Sequence, residues 1–160
     1  EKLFRRPLLV AAMLISFALI LVWAEKISLK KDNLDKLTWQ KVIFIGFAQI
    51  LALIPGVSRA GITMTAGLFC GLKREAAARF SFLLATPIML AAALYKLKDL
   101  FSSSTNLSSI YLWVGFLTAT ITGFLAIKFL INFLKKQSFF PFVWYRIILG
   151  LIIIFLYVLG

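Results

Sequence analysis

Long apolar segments alternate with short polar ones along the chain. The apolar runs cover residues 7–24, 80–95, 110–134 and 142–160. Because a helix needs about 20 apolar residues to cross a bilayer, each run is long enough, or nearly so, to span a membrane. Polar residues dominate the intervals at residues 25–41, 73–79 and 102–109. The pattern predicts an all-α polytopic membrane protein, folded as a helical bundle.

Pro55 and Gly56 interrupt the apolar segment between residues 42 and 72. Proline cannot donate a backbone hydrogen bond and glycine tolerates unusual dihedral angles, so a helix should break here. The two halves, residues 42–57 and 60–72, are short for separate crossings. We therefore expect a broken or re-entrant helix pair around residues 42–72. Irregular backbone at membrane depth has to face protein or a water-filled cavity, which makes the break a candidate site.

The composition agrees with a membrane location and narrows the partners. Of the 160 residues 62% are hydrophobic, and the formal net charge is +12. The charges lie mostly between the apolar runs, which suits anionic lipid headgroups better than nucleic acid. We expect membrane lipids, and no nucleic acid, as partners. Cys70 is the single cysteine and histidine is absent, so a disulfide within the chain, a zinc-type site and histidine acid-base chemistry are excluded, and no metal site is predicted in this chain alone.

The basic residues also give an orientation. If residues 42–72 form a hairpin, then residues 25–41, residues 73–79 and the lysine pair at 135–136 share one side of the membrane. That side holds ten Lys and Arg, against five at positions 2, 5, 6, 96 and 98 on the other. The positive-inside rule then makes the richer side cytoplasmic.

Several small or polar residues within the apolar runs are interpreted as structural. Gly67 and Gly71 have the spacing that lets helices pack closely in lipid. The hydroxyls of Ser81 and Thr86 are expected to serve helix packing. Arg146, near the start of the last run, is expected to snorkel towards the membrane interface.

Arg59 is the leading candidate for chemistry. It lies between the two half-helices, where an ionised group costs about 3 kcal/mol even on lenient insertion scales, and guanidinium stays protonated. Such an arginine should face a cavity and meet an anion. Ser58 can cap the following helix, Thr63 lies on the same helix face, and Gly56 and Gly61 let the backbone approach a ligand. Together with the free N–H groups of a helix start, these residues resemble a phosphate cradle.

Two alternatives remain open at the break. Arg59 could instead snorkel to the interface, with the Pro-Gly pair an ordinary turn between helices. Gln49, six residues before Pro55, could line the pocket or bond to a neighbouring helix.

The sequence around the break resembles a known family. Residues 55–63 read PGVSRAGIT and residues 74–82 read REAAARFSF. These stretches closely resemble the undecaprenyl-diphosphate phosphatases of the BacA type, whose second signature is Pro-Gly-x-Ser-Arg-Ser-x-x-Thr. By this register residues 1–160 look like a single transmembrane domain covering roughly the last three-fifths of a family member, without the amino-terminal repeat.

The resemblance implies a multi-pass enzyme of the bacterial inner membrane that removes one phosphate from undecaprenyl diphosphate, a polyprenyl lipid, to recycle the carrier of cell-wall precursors. It implies that Arg59 binds the diphosphate and that Ser58 and Thr63 hydrogen-bond its oxygens. Pro55, Gly56, Gly61 and Gln49 are the expected substrate-binding residues. The resemblance also implies one half of an inverted-repeat fold and an assisting divalent cation, Mg²⁺ or Ca²⁺. It leaves open whether several copies assemble as a homo-oligomer.

Two departures from the family pattern affect these expectations. Ala60 stands where the signature has serine, and the first signature, with its Glu-x-x-x-Glu pair and histidine, has no counterpart. All six acidic residues lie outside the apolar runs or at their ends. Since hydrolysis needs an activated nucleophile as well as charge stabilisation, these 160 residues alone are expected to be inactive. The alternative function is half of an anionic-lipid transporter or flippase, because broken helices and inverted repeats occur there too.

Overall fold

The computed structural model describes residues 7–102 and 109–159, and the side chains of residues 7–96 and 110–159. The described residues form six α-helices and no named strand, which confirms the all-α prediction. The helices are α1 (Pro7–Ile27), α2 (Trp39–Ala48), α3 (Arg59–Phe69), α4 (Arg74–Ser102), α5 (Ser109–Lys136) and α6 (Phe140–Leu159). Two 3₁₀ segments, Leu34–Lys36 and Gln49–Leu53, precede and extend α2. Most of the predicted polar loop at residues 102–109, and Lys2, Arg5 and Arg6, lie outside the described residues.

Four of the described helices are long and apolar enough to cross a membrane. They are α1, α5 from Ile110, α6, and α4 over Arg74–Lys96. At 1.5 Å per residue the 21 residues of α1 are about 32 Å long, close to the thickness of a bilayer core. The span in α4 begins at Arg74, six residues before the predicted start at residue 80, and continues through Pro87.

Residues 39–69 form the predicted helical hairpin. α2 with its 3₁₀ extension leads into the break, and α3 leads back. Both ends of the hairpin meet, because the Asp32 N–H donates to the Gly71 carbonyl at 3.1 Å and the Lys73 N–H donates to the Asp32 carbonyl at 2.9 Å. The chain therefore enters and returns at the same end of the bundle. We call this end the basic end and the opposite end, where the hairpin turns, the break end.

The core lies around α3, which packs against α1, α2 and α4. One apolar cluster joins Leu21 of α1, Met64 and Leu68 of α3, and Val143 of α6. A Cβ built on Gly67 would lie 3.0 Å from the Ala77 Cβ, so this glycine allows α3 and α4 to approach closely, as predicted. Gly71 instead occupies a turn, with φ +84°.

Several ion pairs lie at the basic end. Glu75 pairs with Arg79 at 2.6 Å and with Lys135 at 3.9 Å, and Lys41 pairs with Asp32 at 2.5 Å. These pairs bring the interval after α1, the start of α4 and the end of α5 together. The expectation that residues 25–41, 73–79 and 135–136 share one side is confirmed; that this side is cytoplasmic stays a prediction.

Candidate functional site

The break between the two half-helices is a tight turn over residues 54–57. The Val57 N–H donates to the Ile54 carbonyl at 3.1 Å, with Pro55 and Gly56 at the two central positions. Gly56 has φ +92°, and proline followed by glycine at positive φ is the pattern of a type II turn. The Pro-Gly pair is therefore explained by local backbone geometry.

Gly56 also packs directly against α1. A Cβ built on this residue would lie 2.5 Å from the Val10 carbonyl oxygen and 3.0 Å from the Met13 Cβ. The missing side chain thus makes room for α1. The prediction that Gly56 lets the backbone approach a ligand is untested, and the contact that the structure does show is with protein.

Ser58 caps α3 as the sequence predicted. Its Oγ accepts a hydrogen bond from the Gly61 N–H at 3.1 Å, which leaves the hydroxyl proton free to donate elsewhere. The N–H groups of Arg59 and Ala60, in the first turn, have no acceptor among the described residues. Free N–H groups at a helix start give a positive potential that suits an anion.

Arg146 reaches this turn from α6. Its side chain is buried, with 8% of the residue exposed, and its Nη2 donates to the Gly56 carbonyl at 3.2 Å. A Cβ on Gly61 would lie only 2.9 Å from Nη1, so this glycine makes room for the guanidinium. The Nε atom is buried without a hydrogen-bond partner. The expectation that Arg146 snorkels to the interface is wrong, because the guanidinium is held inside the bundle.

A cavity of about 310 Å³ opens beside Arg146 and Ser58. Its other walls come mainly from apolar side chains of α1, α3, α5, α6 and the α5–α6 connection, among them Leu14, Leu21, Met64, Leu130, Phe139 and Phe142. The cavity therefore has a cationic, hydrogen-bonding end and an apolar wall. That combination suits an amphiphile with an anionic headgroup.

Arg59 is the first residue of α3 and lies in the sequence between Ser58 and Ala60, which both line the cavity. Arg59 itself does not line it. Its side chain is half-buried and makes no hydrogen bond or ion pair with the described residues. The guanidinium that lines the cavity is thus that of Arg146, whereas Arg59 is an unpaired cation one residue from the Ser58 cap. Its contact with phosphate stays a prediction.

Thr63 and Gln49 are placed differently from Ser58. Thr63 is fully buried, and its Oγ1 lies 2.6 Å from the Ser81 Oγ and 2.9 Å from the Arg59 carbonyl. Its hydroxyl therefore joins α3 to α4, and donation to a phosphate would require it to give up its bond to the Arg59 carbonyl. This bond confirms Ser81 as a helix-packing hydroxyl. The Gln49 Oε1 is buried without a hydrogen-bond partner, but Gln49 does not line the cavity.

The described carboxylates lie at the other end of the bundle. Asp32 lies next to Gly71, and the rise of α3 puts that residue roughly 18 Å from Arg59. No group of three His, Cys, Asp or Glu side chains comes together within residues 7–96 and 110–159. The guanidinium and the N–H groups at the break repel a divalent cation, and the Ser58 hydroxyl offers it only one oxygen. The described side chains at the break therefore do not fit a divalent cation.

The burial of Arg146 at the break was missed because its partner is 90 residues away in the sequence. The sequence nevertheless contained a signal, because an ionisable residue inside a long apolar run is rare and usually marks a functional site.

Comparison with known proteins identifies the relatives of this chain. A family model described as "Bacitracin resistance protein BacA" matches residues 1–152. An undecaprenyl-diphosphatase of Moorella thermoacetica is 49% identical over 154 residues, which are 96% of this chain and 58% of the relative. One of Elusimicrobium minutum is 52% identical over the same shares of both chains, and one of Corynebacterium glutamicum is 47% identical over 100% of this chain and 55% of the relative. The chain spans somewhat more than half the length of these curated relatives.

Proposed function

Because this chain belongs to the bacitracin resistance protein BacA family, a family of multi-pass bacterial membrane proteins, we propose that it forms the phosphate-holding part of a membrane phosphatase. The reaction is hydrolysis of undecaprenyl diphosphate to undecaprenyl phosphate and inorganic phosphate, which the names of the relatives support. The observation that carries the proposal is the buried Arg146 guanidinium, held beside Ser58 at the polar end of an apolar cavity.

The cavity suits the two halves of such a substrate. The diphosphate would occupy the end lined by Ser58 and Arg146. There the unpaired Nε of Arg146 could donate a hydrogen bond to a phosphate oxygen. The apolar wall would hold the first isoprene units. A volume of about 310 Å³ has room for about ten water-sized groups, so the rest of the long tail would lie in the bilayer.

The positive groups at the break would stabilise the charge that develops during phosphoryl transfer. That charge spreads over the equatorial oxygens of the transferred group, and catalysis depends on donors already aimed at them. Arg146, the Ser58 hydroxyl and the free N–H groups of α3 would serve as these donors. Arg59 would extend from the same turn of α3 to a second phosphate oxygen. A water oxygen attacks phosphorus, and the bond to the oxygen that leaves on undecaprenyl phosphate breaks.

The group that activates the water is proposed to come from another part of the protein. The described acidic residues lie far from the break, and histidine is absent from these 160 residues. The first signature of the BacA-type phosphatases, with its acidic pair and histidine, would supply this base and the ligands of any divalent cation. Homo-oligomerisation stays open.

Phosphate release from undecaprenyl diphosphate, measured in liposomes with the full-length protein that includes the water-activating part, tests the proposal. Arg59→Ala is expected to abolish release while the protein still inserts, because a positioned cation is lost. Arg79→Ala is the matched control, since Arg79 lies at the basic end with its side chain 49% exposed. Near-normal release from Arg59→Ala would remove Arg59 from the mechanism. Movement of labelled lipid across the bilayer without any phosphate release by the parent protein would favour the flippase alternative instead.

A further inference from the structure

A second polar cavity lies at the basic end of the bundle. It has a volume of about 160 Å³ and is lined by Lys30, Lys73, Arg74, Glu75, Leu134 and Lys135. These residues come from the interval after α1, from the start of α4 and from the end of α5. We call this the basic cavity. Since three separate segments build it, its four cations are brought together by the fold and not by a run of sequence.

A buried carboxylate holds two of these cations in place. Only 3% of Glu25 is exposed, and its Oε1 pairs with the Arg74 guanidinium and with the Lys30 ammonium, the latter at 3.1 Å. Glu75 pairs with Arg79 and, at 3.9 Å, with Lys135. Counting Glu25 and Glu75 against the four cations leaves a charge of +2 at the cavity.

Two further features leave this charge available to a ligand. Lys73 is exposed and has no ion-pair partner among the described side chains. The N–H groups of Arg74, Glu75 and Ala76 open the 29-residue helix α4 and also find no acceptor among the described residues. The helix start adds its own positive potential to the lysines. The cavity thus combines one unpaired cation, Lys73, with the unpaired N–H donors at the start of α4.

We propose that the basic cavity binds a phosphate group, presented by the headgroup of an anionic phospholipid or by free inorganic phosphate. A tetrahedral anion with several acceptor oxygens matches donors that converge from three directions. The volume has room for about five water-sized groups, which fits a headgroup phosphate and excludes a lipid tail. The cavity also lies at the ends of spanning helices, where headgroups are found and basic pockets bind them.

This site is independent of the proposed reaction. It lies at the opposite end of α3 from Ser58, roughly 18 Å away by the rise of that helix, and shares no lining residue with the cavity at the break. Failure of the phosphatase proposal would therefore leave this one standing, and the reverse also holds.

Binding to the full chain in detergent tests the proposal. Short-chain phosphatidylglycerol, inorganic phosphate and zwitterionic phosphatidylcholine are titrated separately, with the shift in unfolding temperature as readout. The test variant is Lys73→Gln with Lys135→Gln, which leaves the Glu25 pairs intact. The control is Lys26→Gln with Lys36→Gln, the same charge change at two exposed lysines of the basic end that do not line the cavity.

The test variant is expected to weaken phosphatidylglycerol binding roughly tenfold or more, and the control by less than about threefold. Competition by inorganic phosphate would assign recognition to the phosphate group itself, whereas binding of the lipid alone would show that the glycerol headgroup is needed; either result supports the site. Equal losses in both variants would show diffuse attraction to the basic end and overturn the proposal, as would the absence of binding by the parent chain. Stronger binding of phosphatidylcholine than of phosphatidylglycerol would also overturn it, because a cavity of charge +2 disfavours the choline cation.

Discussion

Replacing Arg146 with methionine tests whether this arginine serves the reaction or only the stability of the fold. Within the described residues this arginine makes one hydrogen bond, from Nη2 to the Gly56 carbonyl, and its Nε is buried without a partner. The free Nε donor is available to a ligand, so stability and activity measured on the same variant separate the two roles.

Arg146→Met is expected to have little effect on stability, or to raise it, but to lower activity strongly. Methionine leaves the Gly56 carbonyl unpaired, which costs about 1–3 kcal/mol, but removes a poorly paired buried charge whose desolvation penalty is several kcal/mol. We therefore expect the free energy of unfolding to stay within about 2 kcal/mol of the parent or to rise. Loss of a donor aimed at the developing charge should lower kcat by about 10²–10³-fold.

Phosphate release and unfolding in mixed micelles, measured on the same preparations, check this prediction. Arg146→Lys keeps the charge but not the guanidinium fork, so it should fold and still lose most of the rate. Arg79→Met, at the exposed basic end, should change neither quantity. A parent-like rate from Arg146→Met would refute the role given to the free Nε. A loss of more than about 3 kcal/mol in stability, with kcat of the folded fraction unchanged, would mark the residue as structural.

Three further predictions concern the framework of the site and are checked by unfolding in mixed micelles. Gly56→Ala should destabilise the protein by at least about 3 kcal/mol, because positive φ and a close α1 carbonyl both disfavour a Cβ, whereas Gly46→Ala, in open space on α2, should be neutral or stabilising. Thr63→Val should cost about 1–2 kcal/mol because Ser81 loses its partner; a fall in kcat above tenfold at unchanged stability would instead support a phosphate contact. Glu25→Gln should cost about 3–5 kcal/mol by leaving its basic partners uncompensated, and an unchanged midpoint would contradict that burial.

The hairpin could be predicted because its cause is local. Pro55 and Gly56 are adjacent, and the backbone rules that break a helix at them need no tertiary information. The Ser58 cap was predictable for the same reason, since a serine preceding a helix bonds to an N–H three residues on. The sharing of one side by the basic intervals followed from that hairpin.

The partners of the site residues could not be predicted, because tertiary packing sets them. Gly61 was expected to make room for a ligand, and the structure shows that it makes room for the guanidinium of Arg146, 85 residues later. The hydroxyl of Thr63 faces Ser81, which lies on another helix. Periodicity and motif spacing say which face of a helix a residue occupies, but not which helix covers that face.

The hydrogen bond between the Arg146 guanidinium and the Gly56 carbonyl has a consequence for biogenesis. The turn precedes the arginine by 90 residues, so it is synthesised before the guanidinium that bonds to it. A chain arrested between the two would contain the turn and the start of α3 but would lack this hydrogen bond and the buried cation of α6. By the function proposed above, such a chain would hold a diphosphate less well.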